Sequence, residues 1–308
     1  DQQVQSFNNL FNLDASLNYA RSFGLHDVTG MILFNRYQRV VNIELPYNYV
    51  GLVGRATYAY DGKYLAEVNF GYNGSEQFAP GKQFGFFPSI SVGWILSEEN
   101  FMKNHVGWMD FMKLRASYGK VGNDRLGASR FPYVENWATG VFGWSGLPDG
   151  SYEPSIANKQ ISWEVNNKYN LGLETRLLRN FSFDLDLFYE VRNNILTRSG
   201  TTPTGIFGTG AVEGDGQITL PPLNAGRIEN RGFEATLGFQ KSIGSDWQLQ
   251  VTANGAFNRN KVLYLGEVLL PEDYAVRLRS TGFRLDQPFG YKTAGFFNSQ
   301  DDIDKWYE

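Results

Sequence analysis

Apolar and polar residues alternate with a period of two along most of this chain. In "MKLRASYG", Met112, Leu114, Ala116 and Tyr118 fall on one side of an extended backbone, and Lys113, Arg115, Ser117 and Gly119 on the other. The same pattern sets Phe11, Leu13, Ala15, Leu17 and Tyr19 against Asn12, Asp14, Ser16 and Asn18. It sets Tyr64, Ala66, Val68, Phe70 and Tyr72 against Glu67, Asn69, Gly71 and Asn73. Phe181 through Val191 and Trp247 through Phe257 repeat it. Helical spacing fits none of these segments. The pattern predicts strands near 11–21, 27–37, 50–60, 64–73, 86–96, 111–120, 167–178, 181–192, 228–240 and 247–259, with a further strand near 288–296.

The connections alternate in length. Short ones fall at Phe23–His26, Asp61–Lys63, Ser97–Asp110, Arg179–Asn180 and Lys241–Asp246. Long ones span Gln38–Tyr49, Gly74–Gly85, Val121–Asn166 and Asn193–Arg227, and another follows Asn260. In an up-and-down meander successive turns lie at opposite ends of the sheet, so one end is trimmed and the other elaborated. Bacterial outer-membrane barrels have that asymmetry, with short periplasmic turns and longer extracellular loops.

Aromatic residues mark both ends of the apolar face. Tyr60, Tyr64, Trp94, Phe181 and Trp247 lie beside the short turns, while Phe34, Tyr72, Tyr118, Tyr189 and Phe257 lie toward the long loops. Along one strand the two sets stand about 26 to 33 Å apart. A strand tilt of about 40° reduces this to about 20 to 25 Å, near the height of a barrel's apolar band. The apolar face is therefore expected to meet lipid between two rings of membrane-interface aromatics, and the polar face to line a lumen. An ordinary soluble sandwich with large core aromatics is the alternative. It would need strands about twice the usual length of five or six residues.

Composition sharpens this picture in a few places. The chain has 308 residues, 24 Phe, 17 Tyr and 34 Gly, against only 2 His and no Cys. A net charge of -4 argues against a nucleic-acid partner, which would call for a basic excess. Without cysteine there is no disulfide framework and no thiolate metal site. Mean hydropathy is -0.36 and no stretch approaches the length of a membrane-spanning helix. A transmembrane barrel escapes that test, because half of each strand faces a polar lumen. The chain begins at Asp1 and stops at Glu308 in mid-pattern, so it is expected to be part of something longer.

Several stretches resemble a known family. "FGFFPSISVGWILSEENFMKN" (Phe84–Asn104), "MKLRASYGKVGND" (Met112–Asp124) and "ISWEVNNKYNLGLE" (Ile161–Glu174) are similar to the barrel of SusC/RagA-type TonB-dependent outer-membrane transporters. "NAGRIENRGFEATL" (Asn224–Leu237), "NRNKVLYLG" (Asn258–Gly266) and "FGYKTAGFFNSQDDID" (Phe289–Asp304) follow in the family's order. "YNGSEQF" (Tyr72–Phe78) departs from it, where the family more often carries a basic-acidic pair before Gly-Ser.

The resemblance implies an all-β, antiparallel partial barrel, a fragment of one with about 22 strands. Residues 1–308 would be part of that single barrel domain. The plug, the N-terminal segment that engages the TonB complex and the closing C-terminal strands would lie outside this chain. The piece is then expected to be an open, curved sheet with its first and last strands unpaired. The resemblance further implies import of bulky nutrients, glycans or peptides, with a SusD-like surface lipoprotein as partner. A receptor for an iron chelate or vitamin is a second reading within transport, and a soluble or surface adhesion module is a reading of another class.

Nothing in the sequence calls for catalysis, a cofactor or a bound metal. His26 and His105 sit near different short turns and read as turn or interface residues. Asp184, Asp186 and Glu190 share the polar face of one strand and read as a solvated lumen wall. "GTGAVEGDG" (Gly208–Gly216) lacks the Lys-Ser/Thr ending of a phosphate loop and reads as an extracellular loop. Asp301, Asp302 and Asp304 lack the turn glycine of a calcium loop and read as a surface run. Binding is expected in the long loop Val121–Asn166, where Trp137, Phe142, Trp144 and Tyr152 are interleaved with Gly and Pro. Their rings are candidates to pack on sugar or peptide faces, on the loop itself or on the capping lipoprotein.

Overall fold

The computed structural model describes residues 7–42, 45–103, 107–126, 130–140, 150–152, 156–197, 222–267, 279–290, 293, 295–297 and 299–306. Ten long strands form one antiparallel sheet. They are β1 (Asn8–Phe23), β2 (His26–Val41), β3 (Tyr47–Tyr60), β4 (Tyr64–Ser75), β5 (Phe84–Ile95), β6 (Met109–Asn123), β9 (Glu164–Leu177), β10 (Phe181–Thr197), β11 (Leu223–Ile243) and β12 (Trp247–Tyr264). Each pairs with its neighbours in chain order, and β1 and β12 are left as the two edges of an unclosed sheet. Within the β6–β9 connection a small hairpin joins β7 (Ala138–Gly140) to β8 (Gly150–Tyr152). No helix among the described residues is long and apolar enough to cross a membrane.

All ten expected sheet strands are present, and each runs on by two to five residues at its long-loop end. Backbone pairing continues there while the one-sided apolar pattern fades, so periodicity marks only the amphipathic part. One further expectation fails. The described residues between 288 and 296 are not in a strand. Instead, the segment before them folds back on the end of β12: Val262 N donates to Phe283 O at 2.8 Å and Gly282 N to Val262 O at 2.7 Å. Pro288 has no N–H to give a ladder, and Gly295 sits at φ +130°, outside the extended range of L-residues.

Tight turns close the short end. Asp61 and Gly62 both take positive φ, +51° and +63°, and Lys63 N donates to Tyr60 O at 2.9 Å. The β9–β10 turn places Leu178 and Arg179 at positive φ and is tied down from β6: Arg179 N donates to Asp110 Oδ2 at 2.5 Å. The β5–β6 connection is more elaborate than a turn. It holds a 3-10 turn at Leu96–Glu98 and a short helix α1 (Asn100–Lys103). A last helix, α2 (Gln300–Lys305), contains Asp301, Asp302 and Asp304 and is capped by Ser299 Oγ.

The register puts one apolar face across the whole sheet. Leu114 pairs with Leu173, Leu173 with Leu185, and Leu185 with Ala235. Val68 and Val251 on that face remain 51% and 54% exposed, so no second sheet covers it and the sandwich alternative is excluded. The buried hydrophobics are few and cluster at the long-loop end, around Phe78, Ile161 and Trp163.

The two aromatic rows step together across the register. On β3 to β5 the short-end row is Tyr60, Tyr64 and Trp94, paired in sequence. Following the ladder from Trp94 through Leu114 and Leu173 leads to Leu185, yet the row on β10 sits at Phe181, four residues nearer the short turns. The upper row makes the same step. Tyr72 pairs with Phe86 on β5, but Tyr118, Tyr169 and Tyr189 align with Ile90, also four residues nearer the short turns. Spacing between the rows is eight residues from Tyr64 to Tyr72 and from Phe181 to Tyr189, and ten from Trp247 to Phe257. Ring contacts hold each row laterally, with centroids 6.4 Å apart for Tyr64–Trp94 and 4.9 Å for Tyr118–Tyr169. At the far edge Phe257 touches Phe233 and Trp247 stands 76% exposed. Phe34 lies mid-strand, paired with Leu52, which pairs in turn with Tyr72.

Candidate functional site

The polar face carries the candidate chemistry, beginning with Arg115 at the middle of β6. Its guanidinium crosses β9 to reach β10, donating through Nη2 to both oxygens of Asp186 at 2.5 and 2.6 Å. Nη1 donates to Asn170 at 3.1 Å. Nε lies 3.1 Å from Glu174 Oε1, an ion-pair contact without hydrogen-bond geometry. Gly172 makes the crossing possible: a Cβ there would stand 2.5 Å from Arg115 Nε. Cross-strand pairs continue along the wall, with Arg55 on Glu67 at 2.6 Å and Lys168 on Glu190 at 3.2 Å. Asp184 and Asp186 are therefore not a free acid pair, since both oxygens of Asp186 are spent on Arg115. This is a partly exposed wall laced by cross-strand ion pairs.

At the long-loop end the connections fold onto the same face. Phe78 and Trp163 stand 5.2 Å apart, Phe87 lies 5.2 Å from Trp163, and Trp163 Nε1 donates to Gln83 O at 3.1 Å. The fully buried Ile161 completes this small core. Arg130 acts as a strap beside it. Its guanidinium donates to Leu45 O at 2.6 Å, Pro46 O at 2.9 Å and Glu76 Oε1 at 2.7 Å, and lies 3.4 Å from the Tyr47 ring centroid. Asn48 Nδ2 donates to the other Glu76 oxygen at 2.7 Å. Next to the strap is a recess of about 410 Å³ lined by Asn12, Asn35, Tyr37, Tyr49 and Gln77, among others. Amides and phenols offer donors and acceptors together, and the rings offer apolar faces.

Two of the four loop aromatics lie among the described residues. Trp137 is 68% exposed, just ahead of β7. Tyr152 ends β8, its backbone paired with Ala138. Phe142, Trp144, His105 and Gly208–Gly216 lie outside the described residues. His26 is at the short end, its Nδ1 2.8 Å from Tyr58 Oη. Among the described residues no group of three or more His, Asp or Glu is placed to hold a metal ion. Sequence reasoning missed Arg130, Glu76 and the recess. Asn and Tyr at alternate positions of β2 and β3 were visible, but the register that joins them to β1 and to a loop over eighty residues away was not.

Comparison with known proteins agrees with this architecture. Residues 1–303 match the family model described as TonB dependent receptor-like, beta-barrel. The chain is 30% identical to TonB-dependent receptor P39 of Formosa agariphila over 80% of its own length and 22% of that protein's. It is 26% identical to TonB-dependent receptor SusC of Bacteroides thetaiotaomicron over 70% of its length and 21% of that protein's. In fold it is similar to the RagAB peptide importer in its open-open state, with a TM-score of 0.69 at 18% identity, covering 92% of this chain and 32% of that one. The chain thus spans about a fifth of the length of these two curated relatives. It belongs to the TonB-dependent receptor β-barrel family, whose members reside in the outer membrane of Gram-negative bacteria.

Proposed function

We propose that this member of the TonB-dependent receptor β-barrel family forms part of the wall of an outer-membrane importer of bulky nutrients, glycans or peptides. The observation that carries this reading is that both aromatic rows sit four residues nearer the short turns on β10 than on β5, with eight residues between them on each of those strands. A step of four residues over three strands corresponds to a tilt of about 40°, within the range of membrane barrels. Interface aromatics must follow the membrane plane and not the ladder. A packed sandwich imposes no such plane. On this reading Tyr60, Tyr64, Trp94, Phe181 and Trp247 sit at one interface and Phe34, Tyr72, Tyr118, Tyr189 and Phe257 at the other. The short turns are periplasmic.

The same reading includes a SusD-like lipoprotein over the loop end and the TonB complex engaged through a segment outside this chain. Similarity to SusC and to the RagAB importer supports it. The recess of amides and tyrosines supports the glycan side of the substrate class, because sugar hydroxyls need paired donors and acceptors and sugar rings stack on phenols. Trp137 is a second contact for substrate or lipoprotein. Transport rather than catalysis is the role the family assigns.

Uptake tests the reading. In the bacterium that makes this protein, deleting its gene is expected to abolish uptake of a labelled oligosaccharide, and Tyr37→Ala with Tyr49→Ala to reduce it. Intact oligosaccharide and peptide uptake alongside lost iron-chelate uptake would favour the siderophore-type reading instead.

A further inference from the structure

A shallow depression of about 650 Å³ opens on the apolar face near the short turns. Its floor is the row Ala66, Val92 and Ala116, paired in sequence across β4, β5 and β6. Its rim carries Tyr64 and Trp94 at the short-turn end and Leu171 on the far side. Two alanines beside a valine, walled by rings, leave a shallow channel on this face.

Glu99 lies on the short-turn side of that channel, beyond the rim made by Tyr64 and Trp94. Tyr64 Oη donates to its Oε1 at 2.6 Å and Trp94 Nε1 donates to the same oxygen at 3.1 Å. The rim aromatics thus fix the carboxylate on the apolar side of the wall, just beyond the end of β5. These two hydrogen bonds, Tyr64's first, hold the carboxyl below its ordinary range, aided by the charge of Lys63 and opposed by burial and Asp61. The other charges nearby are already matched: Lys63 with Asp61 at 2.6 Å and Lys103 with Glu98 at 2.6 Å. Glu99 is held by neutral donors, and among the described residues no cation forms an ion pair with it.

We propose that the depression and Glu99 together form a site for one phospholipid bearing a primary ammonium headgroup, with an acyl chain along Ala66, Val92 and Ala116 and the ammonium on Glu99. Oε1 is filled by Tyr64 and Trp94, and Oε2, which no described side chain engages, is left to accept a charge-assisted hydrogen bond. The two rings, stacked with centroids 6.4 Å apart, add a π face within reach of the same cation. A phosphate-only headgroup would meet Glu99 with like charge. The proposal rests on the reading that the apolar face meets lipid.

The test uses the intact transporter in nanodiscs of equal phosphatidylethanolamine and phosphatidylglycerol, with retained lipid counted by native mass spectrometry. The wild-type protein is expected to retain phosphatidylethanolamine preferentially. Glu99→Gln is expected to lower that preference roughly tenfold without changing total lipid. Ala116→Phe, which fills the channel, should lose the retained lipid, while Ala235→Phe elsewhere on the same face should not. No headgroup preference in the wild type, or a preference untouched by Glu99→Gln and Ala116→Phe, overturns the site and leaves the lipid-facing reading intact. Absence of bound lipid from every form contradicts both.

Discussion

β10 shows two faces of one backbone held by different means. On one side Phe181, Phe183, Leu185, Leu187 and Tyr189 pair with apolar partners from both neighbours along most of the strand. They have no ion pair and, until Tyr189, no side-chain hydrogen bond. On the other side Asp186 is fastened to Arg115 two strands away, and Glu190 to Lys168 and Asn166. The first face needs no specific contact because the surrounding hydrocarbon satisfies it. The second needs matched charges that remain wet. A wall of this kind replaces a conventional core with two solvents, and the ladder between them supplies the cooperativity.

Breaking this contrast should cost most on the apolar side. Leu185→Arg in the intact protein is expected to destabilise the folded barrel by about 2 to 4 kcal/mol, the range for a charge near the bilayer midplane. Reversible unfolding in liposomes reads it directly. An effect below about 0.5 kcal/mol would place water on that face. Arg115→Met should cost about 1 kcal/mol, since Arg115 and Asp186 are 37% and 26% exposed and water takes over part of the lost pairing. A double-mutant cycle with Asp186→Asn should give a coupling of at most about 1 kcal/mol. A coupling of several kcal/mol would mean that the polar face is dry.

Gly172→Ala should cost no more than Arg115→Met, because the new methyl displaces the guanidinium that crosses it. In the Arg115→Met background the same change should add almost nothing, a non-additivity that unfolding measurements can detect. Smallest of all is Asp184→Asn, expected to stay within about 0.5 kcal/mol, one residue from the costliest position. Equal losses at 184 and 185 would erase the distinction between the faces.

How much of this was legible follows from the same physics. Ten strands and their sidedness could be read because a wall between two solvents writes a period of two into the sequence. Strand ends beyond the aromatic rows could not be read, since Asn8–Leu10 has no alternation and that of Leu223 and Ala225 breaks at Arg227, where the register shifts. Near 288–296 the described residues form no strand, and the segment before them, at Gly282 and Phe283, is tied to Val262 instead. The loop end was opaque for another reason. Phe78 belongs to the β4–β5 connection and Ile161 and Trp163 to the one before β9, and only tertiary pairing shows that they meet. Arg130 is one arginine in a loop until its contacts with Leu45, Pro46 and Glu76 are seen.

The central claim is that lipid lies on one face of β10 and water on the other. The chain has no cysteine, so single cysteines at successive positions from Phe183 to Glu190 can carry a nitroxide label in the intact protein reconstituted in liposomes. Collision with membrane-dissolved oxygen should peak at Phe183, Leu185, Leu187 and Tyr189, and collision with a water-soluble nickel chelate at Asp184, Asp186, Phe188 and Glu190. Opposite-phase oscillation with a period of two is the predicted result. The same accessibility profile on odd and even positions would contradict the account.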